Sequence, residues 1–370
     1  DCAGIKDVVV SGSFKLSEAL TSSYKSITNA VVAQGATNIG DEAFFCCFGL
    51  TSITIPETVA SIGCNAFRNC SELTTVTIPD SVTNIMQEAF KGCTGLTSIT
   101  IPEGVANIGQ NAFYGCWELK DVVVPGHFQL STIFPSSYTT ITNAIIKQGV
   151  TSIGSWAFYG CSGLTTITIP DSVTSIGSWA FDGCSGLTTI TIPDSVTSIG
   201  ESAFYGCSGL SSIVIPNSVT SIGHGVFQDC SGLSSIVIPN NVTNVGSRAF
   251  YGCSALESVT IPDGVTSIGE RAFYGCSGLS SITIPDNVAS IEYAAFQDCS
   301  GLSSIVIPNS VTSIGGWAFD GCSNLSTLSL PSRFKGNSSI LVGIPDGCKV
   351  VWVPDVYTLR FDANGGTGEM

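Results

Sequence analysis

Residues Pro170–Ile192 read PDSVTSIGSWAFDGCSGLTTITI, and this stretch decides the fold. Ile190 and Ile192 alternate with threonines, and this period of two predicts a short strand with one apolar face. Pro193 ends the strand, and the Pro-Asp-Ser that begins there is typical of a turn. Phe181 and the other apolar residues are predicted to point back into the same interior. Such a unit is too small to bury them alone, so we expect it to stack on similar units.

The same unit recurs along the chain every 23 residues. Proline marks it at Pro56, Pro79, Pro102, Pro125, Pro170, Pro193, Pro216, Pro239, Pro262, Pro285, Pro308, Pro331 and Pro354. An Ala-Phe or Val-Phe pair keeps step, with phenylalanine at Phe44, Phe67, Phe90, Phe113, Phe158, Phe181, Phe204, Phe227, Phe250, Phe273, Phe296 and Phe319. Neighbouring strands of stacked units would lie about 4.8 Å apart, which predicts a single parallel solenoid with a sheet of strands on one face.

The 23-residue spacing is broken at two places, and the two breaks have the same form. Lys6–Gly40 resembles Lys120–Gly154 at an offset of 114 residues, so residues 2–119 and 116–233 form an internal duplication. The offset contains one unit of 22 residues among units of 23, and Gln129–Phe134 within it is expected to form a short helix. Counting the shortened units predicts a solenoid of about 16 rungs over residues 1–354, followed by a separate segment at 355–370.

Composition and charge exclude several classes of function. Only 11% of the 370 residues are charged, and the net charge of −15 argues against nucleic acid or an anionic membrane as a partner. No run of about 18 apolar residues is present, so no transmembrane segment is predicted. His127 and His224 are the only histidines, and they lie about four rungs apart. No nucleophile and base can be paired from them, so we expect neither enzyme activity nor a cofactor.

The pattern IPxxVxxIGxxAFxxCxxLxxIxI resembles the BspA-like leucine-rich repeats, a class of 23-residue repeats found in bacterial surface proteins and some protozoan ones. The resemblance covers nearly all of residues 1–354. It implies a leucine-rich-repeat solenoid of horseshoe or arc shape, with a parallel β-sheet of short strands on one face and loops and short helical turns on the other. It also implies an extracellular, secreted or cell-surface location and a role in adhesion, and it carries no transferable binding residues.

A second, shorter resemblance lies at the end of the chain. Residues Tyr357–Gly368 read YTLRFDANGGTG and look like the opening strand of a Listeria–Bacteroides repeat, a small extracellular β-module. The resemblance implies that Met370 is a cut point within a longer surface protein. The alternative is a Gly-rich tail without a fold of its own.

Most of the 16 cysteines share one repeat position. They are Cys2, Cys47, Cys70, Cys93, Cys116, Cys161, Cys184, Cys207, Cys230, Cys253, Cys276, Cys299 and Cys322. Parallel side chains one rung apart do not meet disulfide geometry, so this column is predicted to hold buried thiols. A line of thiols also lacks the convergence that zinc needs. A Cys46–Cys64 bridge between neighbouring rungs stays open, as does calcium at the acidic residues after the prolines.

Two positions around the Ala-Phe pair vary most between repeats. Among their residues we single out Trp156, Tyr159, Trp179 and Tyr205 as one candidate partner-binding cluster and Arg248, Tyr251, Arg271 and Tyr274 as another. Tryptophan, tyrosine and arginine are the residue types enriched at binding hot spots. The alternative is that these side chains shield the outer layer of the core or stack on one another. The strand face, in contrast, is a monotonous Ser/Thr surface.

Together, these features favour a non-enzymatic surface or secreted protein that acts as an adhesin. The expected ligand is a protein or glycan, host extracellular matrix among them, bound by a monomer. The alternative is a structural spacer that displays other modules of a longer surface protein. An adhesin should depend on the varied aromatic and arginine positions, whereas a spacer should be indifferent to them.

Overall fold

A computed structural model describes residues 6–11, 14–20 and 23–354, so Cys2 and Tyr357–Gly368 lie outside the described residues. Its dominant feature is a series of short strands, one in each repeat, which we call the main strands. They are Asp7–Val10, Asn29–Val32, Ser52–Thr54, Thr75–Thr77, Ser98–Thr100, Asp121–Val124, Asn143–Ile146, Thr166–Thr168, Thr189–Thr191, Ser212–Val214, Ser235–Val237, Ser258–Thr260, Ser281–Thr283, Ser304–Val306, Thr327–Pro331 and Lys349–Val353.

The main strands fall into four consecutive sheets, and within each sheet the strands of successive repeats pair in parallel with every residue opposite its equivalent. Ile190 pairs with Ile213, and Thr191 pairs with Val214. Because side chains alternate along a strand, the central isoleucine is buried while its neighbours face outward. The predicted parallel solenoid with a strand sheet on one face is therefore confirmed.

A second series of strands, each two residues long, follows the proline turn of most repeats and was not predicted from the sequence. These second strands are Asn38–Ile39, Ser61–Ile62, Asn84–Ile85, Asn107–Ile108, Ser152–Ile153, Ser175–Ile176, Ser198–Ile199, Ser221–Ile222, Asn244–Val245, Ser267–Ile268, Ser290–Ile291 and Ser313–Ile314. They also pair in parallel, as in Ile176 with Ile199. The series is interrupted between Asn107–Ile108 and Ser152–Ile153, where the 22-residue unit places the expected short helix at Leu130–Ile133.

Few residues adopt helical structure elsewhere in the described ranges. The equivalent of Leu130–Ile133 in the first shortened unit is the helix Leu16–Ala19. Three 3₁₀ turns lie at Ser23–Ser26, Ser332–Phe334 and Ser338–Leu341. Ile340 is buried there, so the last of these turns packs against the C-terminal end of the core.

Stacked phenylalanine rings form the centre of the core. Phe181 lies parallel to Phe158 and to Phe204, with ring centroids 5.2 Å apart in each pair. Where the 22-residue unit interrupts the series, Phe134 packs against Phe113 at 5.2 Å with its ring tilted by 56°. Every one of these phenylalanines is buried, which removes a large apolar area from water at each rung.

Buried thiols run beside the phenylalanines. Cys184 is fully buried, and its Sγ donates a hydrogen bond to the carbonyl oxygen of Phe158 in the preceding repeat at 3.1 Å. The same bond recurs along the column, for example from Cys207 to Phe181 and from Cys230 to Phe204. All cysteines in the described ranges are free thiols, including Cys46 and Cys64. The thiol column thus forms a row of hydrogen bonds within an apolar interior.

Candidate binding surface on the turns

Each repeat carries a turn from its glycine to its cysteine, Gly177–Cys184 in one repeat, which we call the AF turn after its Ala-Phe pair. The backbone N–H groups of Trp179, Phe181 and Gly183 donate to carbonyl oxygens of the next repeat at 2.9, 2.8 and 2.8 Å. Every second N–H of the turn therefore points along the solenoid. This ladder ties neighbouring AF turns together although they contain no β-strand.

Left-handed backbone conformation makes that ladder possible. Trp179 has a φ of 59°, and Gly183 has a φ of 73°. The position of Trp179 is left-handed in every AF turn, with φ between 53° and 64°, and we call it the left-handed column. Its residues are Glu42, Asn65, Glu88, Asn111, Trp156, Trp179, Ser202, Gly225, Arg248, Arg271, Ala294 and Trp317.

A left-handed conformation costs a residue other than glycine about 1–2 kcal/mol. In most repeats the N–H of this residue gains an inter-repeat hydrogen bond, for example from Trp156 to the Ser178 carbonyl at 3.1 Å. Because this compensation comes from the backbone, the fold places little demand on the side chain. Residues from glycine to tryptophan occupy the column, and the side chain is available for other roles.

Four aromatic residues predicted to cluster lie in contact, and we call them the Trp cluster. Trp156 and Trp179 stack with ring centroids 5.2 Å apart and an interplanar angle of 3°. Tyr159 meets Trp156 edge-on at 5.2 Å, and Tyr205 lies 5.8 Å from Trp179 at a tilt of 51°. Trp156 and Tyr159 remain about 40% exposed, so the cluster presents aromatic surface to solvent.

Two titratable groups at the Trp cluster, Asp182 and Tyr205, have raised pKa values. Burial raises the pKa of Asp182, which lies between Tyr159 and Tyr205 in the repeat series, to about 6. Burial and a hydrogen bond with the Asp229 carboxylate raise the pKa of Tyr205. The cluster therefore combines partly exposed aromatic rings with the Asp229 carboxylate, which interacts with Tyr205.

The second predicted group borders a cleft of about 460 Å³, which we call the Arg–Tyr cleft. Its walls are formed by Arg248, Tyr251, Arg271, Tyr274, Tyr293 and Trp317. The side-chain amides of Gln228 and Gln297 also line it. Its volume falls within the range of about 300–1,000 Å³ that is usual for small-ligand sites.

Stacking and charge pairing fix the walls of the Arg–Tyr cleft. The rings of Tyr251 and Tyr274 are parallel with centroids 4.6 Å apart. Arg271 lies 5.1 Å from the centre of the Tyr293 ring and pairs with Glu270 at 2.6 Å. A hydrogen bond with Asp298, together with burial, raises the pKa of Tyr274 to about 12, so its hydroxyl stays protonated.

Tyr293 and the two glutamines of the cleft were not selected from the sequence. Gln228 and Gln297 occupy a variable position but are not typical hot-spot residues. Tyr293 lies outside both variable positions, because it follows the residue that is normally glycine. Its signal was Glu292-Tyr293, in which Glu292 replaces the glycine that most repeats carry at that position.

The described ranges contain no group of three or more His, Cys, Asp or Glu side chains that could hold a metal ion. His224 lies with its Nε2 3.9 Å from a carboxylate oxygen of Glu201, and both side chains are well exposed. None of the helices that the structure describes has the length and apolarity to cross a bilayer.

Comparison with known proteins identifies the family. The family profile described as the BspA type leucine-rich repeat region matches residues 17–137, 131–257 and 243–340. The chain belongs to the BspA-type leucine-rich repeat family. Solenoids of this family are typically scaffolds for protein interaction without enzyme activity, and the family suggests a protein-interaction role here. No curated protein sequence matches the chain significantly.

Several solved structures are similar to this BspA-type chain. A leucine-rich repeat protein from Bacteroides ovatus shares 32% identity over 94% of this chain and 92% of its own, with a TM-score of 0.68. A leucine-rich cell surface protein from Faecalibacterium prausnitzii shares 29% identity over 88% of both chains, with a TM-score of 0.40. A leucine-rich repeat protein from T. pallidum shares 31% identity over 56% of this chain and 86% of its own, with a TM-score of 0.41.

Proposed function

We propose that this chain is an extracellular adhesin that binds a protein partner through the exposed turns of its solenoid. Its main support is the Trp156–Trp179 stack, in which Trp156 is 40% exposed although the fold does not require a tryptophan there. Tryptophan and tyrosine provide large, rigid contact areas and dominate many protein interfaces. A cell-surface location is supported by the family and by the F. prausnitzii relative, which is named as a cell surface protein.

The layer beneath the left-handed column argues against shielding as the role of these tryptophans. Gly225 occupies the left-handed column one repeat beyond Ser202, yet Phe227 and Phe204 beneath them are as fully buried as Phe181 beneath Trp179. The core is therefore sealed without any large side chain at this position. Trp156 and Trp179 add surface that serves recognition rather than packing.

Binding to immobilised extracellular-matrix proteins, mucins and glycans tests this function. We expect saturable binding of the purified chain to a protein partner, with at least about tenfold weaker affinity for the double variant Trp156→Ala/Trp179→Ala. Trp117→Ala is the control, because Trp117 is an exposed tryptophan that lies outside both the Trp cluster and the cleft lined by Arg248 and Trp317. Equal binding by all three proteins would move the site away from the cluster.

A stiff spacer is the alternative function, and one observation favours it. The phenylalanine stack and the main strands continue through the described repeats with few breaks, which suits a rod that holds other modules away from a surface. A spacer would bind nothing in the panel, and its Trp156→Ala/Trp179→Ala variant would be indistinguishable from the original chain.

A further inference from the structure

We propose that the Arg–Tyr cleft binds a saccharide that carries a carboxylate, such as a uronic or sialic acid unit. This inference rests on the proposed function in so far as both place recognition on the AF turns. It adds a second ligand class at a site five repeats long, separate from the Trp cluster.

Charge is the first reason. The chain has a net charge of −15, and no lysine or arginine occurs between Gln148 and Gly246. Arg248 follows this stretch directly, and it lines the cleft half-buried. Among the described residues, no hydrogen bond or ion pair engages its guanidinium, whereas Arg271 is paired with Glu270. A half-buried arginine without a carboxylate partner is suited to bind one from a ligand, in bidentate geometry.

Aromatic walls are the second reason. Trp317 and Tyr293 are 47% and 41% exposed at the cleft. Ala294 stands between Arg271 and Trp317 in the left-handed column, so no long side chain lies there to separate them. Flat rings of this kind pack well against the C–H faces of a pyranose, whose hydroxyl groups then point to the rim.

Hydrogen-bonding groups around the cleft are held in position. Gln297 donates its Nε2 to a carboxylate oxygen of Asp320 at 2.7 Å, which directs the amide and leaves its Oε1 as an acceptor. Tyr274 is fixed by Asp298. The rim thus offers oriented acceptors beside the arginine donors, and sugar hydroxyls can both donate and accept.

Backbone geometry favours a saccharide over an acidic peptide. The N–H groups of Arg248 and Arg271 already donate to the carbonyl oxygens of Glu270 and Tyr293, at 2.8 and 3.0 Å. The N–H of Tyr251 donates to the Arg248 carbonyl at 3.1 Å. An extended peptide gains affinity by adding to a free strand edge, and these groups offer none. Recognition here must come from side chains alone.

Isothermal titration of the purified chain with defined oligosaccharides tests the proposal. The acidic probes are a hyaluronan tetrasaccharide and 3′-sialyllactose, and the neutral controls are chitotetraose and lactose. We expect at least one acidic probe to bind at least about tenfold more tightly than its neutral control, and about 0.5 M NaCl to weaken it. Glycoproteins carrying the better glycan, with and without enzymatic removal of its acidic sugar, distinguish a protein-borne from a free polysaccharide source.

Variants assign the binding to this cleft. Arg248→Ala should weaken it at least about tenfold, and Arg248→Lys should weaken it less, because lysine keeps the charge but loses the bidentate geometry. Trp317→Ala should weaken it independently, through loss of the aromatic wall. Trp156→Ala is the control and should leave it unchanged, with thermal unfolding confirming that every variant is folded.

Three outcomes would overturn the proposal. The first two are equal binding of acidic and neutral probes and no binding of either. The third is binding of a sulfated peptide or an acidic peptide in place of the saccharides. If acidic saccharides fail while the Trp156→Ala/Trp179→Ala variant loses a protein partner, this inference is wrong and the adhesin function stands. If acidic saccharides bind through Arg248 and no protein partner is found, the inference stands and the protein-binding function is wrong.

Discussion

Within each AF turn, two positions two residues apart follow opposite rules. The phenylalanine, Phe181 in one repeat, is fully buried in a stack that repeats without substitution. The left-handed column, represented by Trp179 in the same repeat, carries seven residue types, and their burial ranges from buried Ala294 to Trp317, which is 47% exposed. Side chains therefore stabilise the first position, whereas backbone hydrogen bonds stabilise the second. Stability and recognition are encoded separately, so one can change without the other.

Alkaline pH should produce the largest effect, because it acts on the whole thiol column. Burial raises the pKa of Cys161 and of Cys116 to about 12, from an ordinary value of 9.0, and raises that of Cys184 well above 9.0. The folded state therefore keeps protons that the unfolded chain releases above pH 9. We expect the free energy of unfolding to fall steeply as pH rises from about 9 to 12.

Urea unfolding between pH 7 and 11 under reducing conditions measures this dependence. Cys207→Ala is the control and should lower the pH slope by about one proton, since it removes one buried thiol. A free energy of unfolding that stays constant across this range would contradict the buried, neutral state of the column.

Removing one phenylalanine ring should produce the next largest effect, and it distinguishes the buried position from the outer one. Phe227 stacks between Phe204 and Phe250 at 5.6 Å on each side. Phe227→Ala should lower the free energy of unfolding by about 3–5 kcal/mol. The neighbouring Gln228→Ala should change it by less than about 0.5 kcal/mol, as is usual for surface positions. Urea denaturation of both variants makes the comparison, and similar losses would show that the outer position also supports the core.

A pair of glycines provides the smallest and most specific test. Gly225 has a φ of 59°, and a Cβ added there would lie 2.8 Å from the Ser202 hydroxyl, so Gly225→Ala should destabilise by about 1 kcal/mol. Gly223, two residues earlier, lacks positive φ, and its nearest such contact is 3.8 Å away. Gly223→Ala should stabilise by about 0.4–1 kcal/mol through the unfolded chain. Thermal and urea unfolding should show that Gly225→Ala lowers the free energy of unfolding and that Gly223→Ala raises it.

The buried half of this architecture was predictable from the sequence. Alternation around Ile190 predicted the main strand, and the constant spacing of phenylalanine and cysteine predicted their burial. Buried apolar positions recur periodically in the sequence, because an unsuitable residue at such a position lowers the free energy of unfolding by several kcal/mol. A short helix was also predicted at Gln129–Phe134 in the 22-residue unit, and it lies at Leu130–Ile133.

The left-handed backbone conformation of the AF turns was not predictable, because many residue types are tolerated at this position and the sequence therefore shows no pattern there. Glycine would have marked a left-handed turn, but only Gly225 occupies that column. Gly177 stands at a position where most repeats carry glycine, although its φ is not positive. A Cβ there would lie 2.5 Å from the backbone nitrogen of Ser155, so the glycine permits close approach of two repeats. Spacing along one repeat does not reveal a contact between repeats.

The candidate surface was predictable only in part. Variation between repeats selected Trp156 and Arg248, because few other positions vary. It could not show that Tyr293 and Trp317 complete a cleft around Arg271, since that depends on how three turns lie side by side. Which variable residues meet is a property of stacking geometry rather than of composition.

The inter-repeat ladders have a mechanical consequence. Main strands, second strands and AF turns all direct their hydrogen bonds along the solenoid, and each repeat bonds mainly to its neighbours. A tensile force on the two ends would load these bonds in series and open the terminal repeat before the next one. Each opening would release 23 residues, or about 80 Å of extended chain. Under tension, such a protein would lengthen in steps while its remaining repeats stay folded.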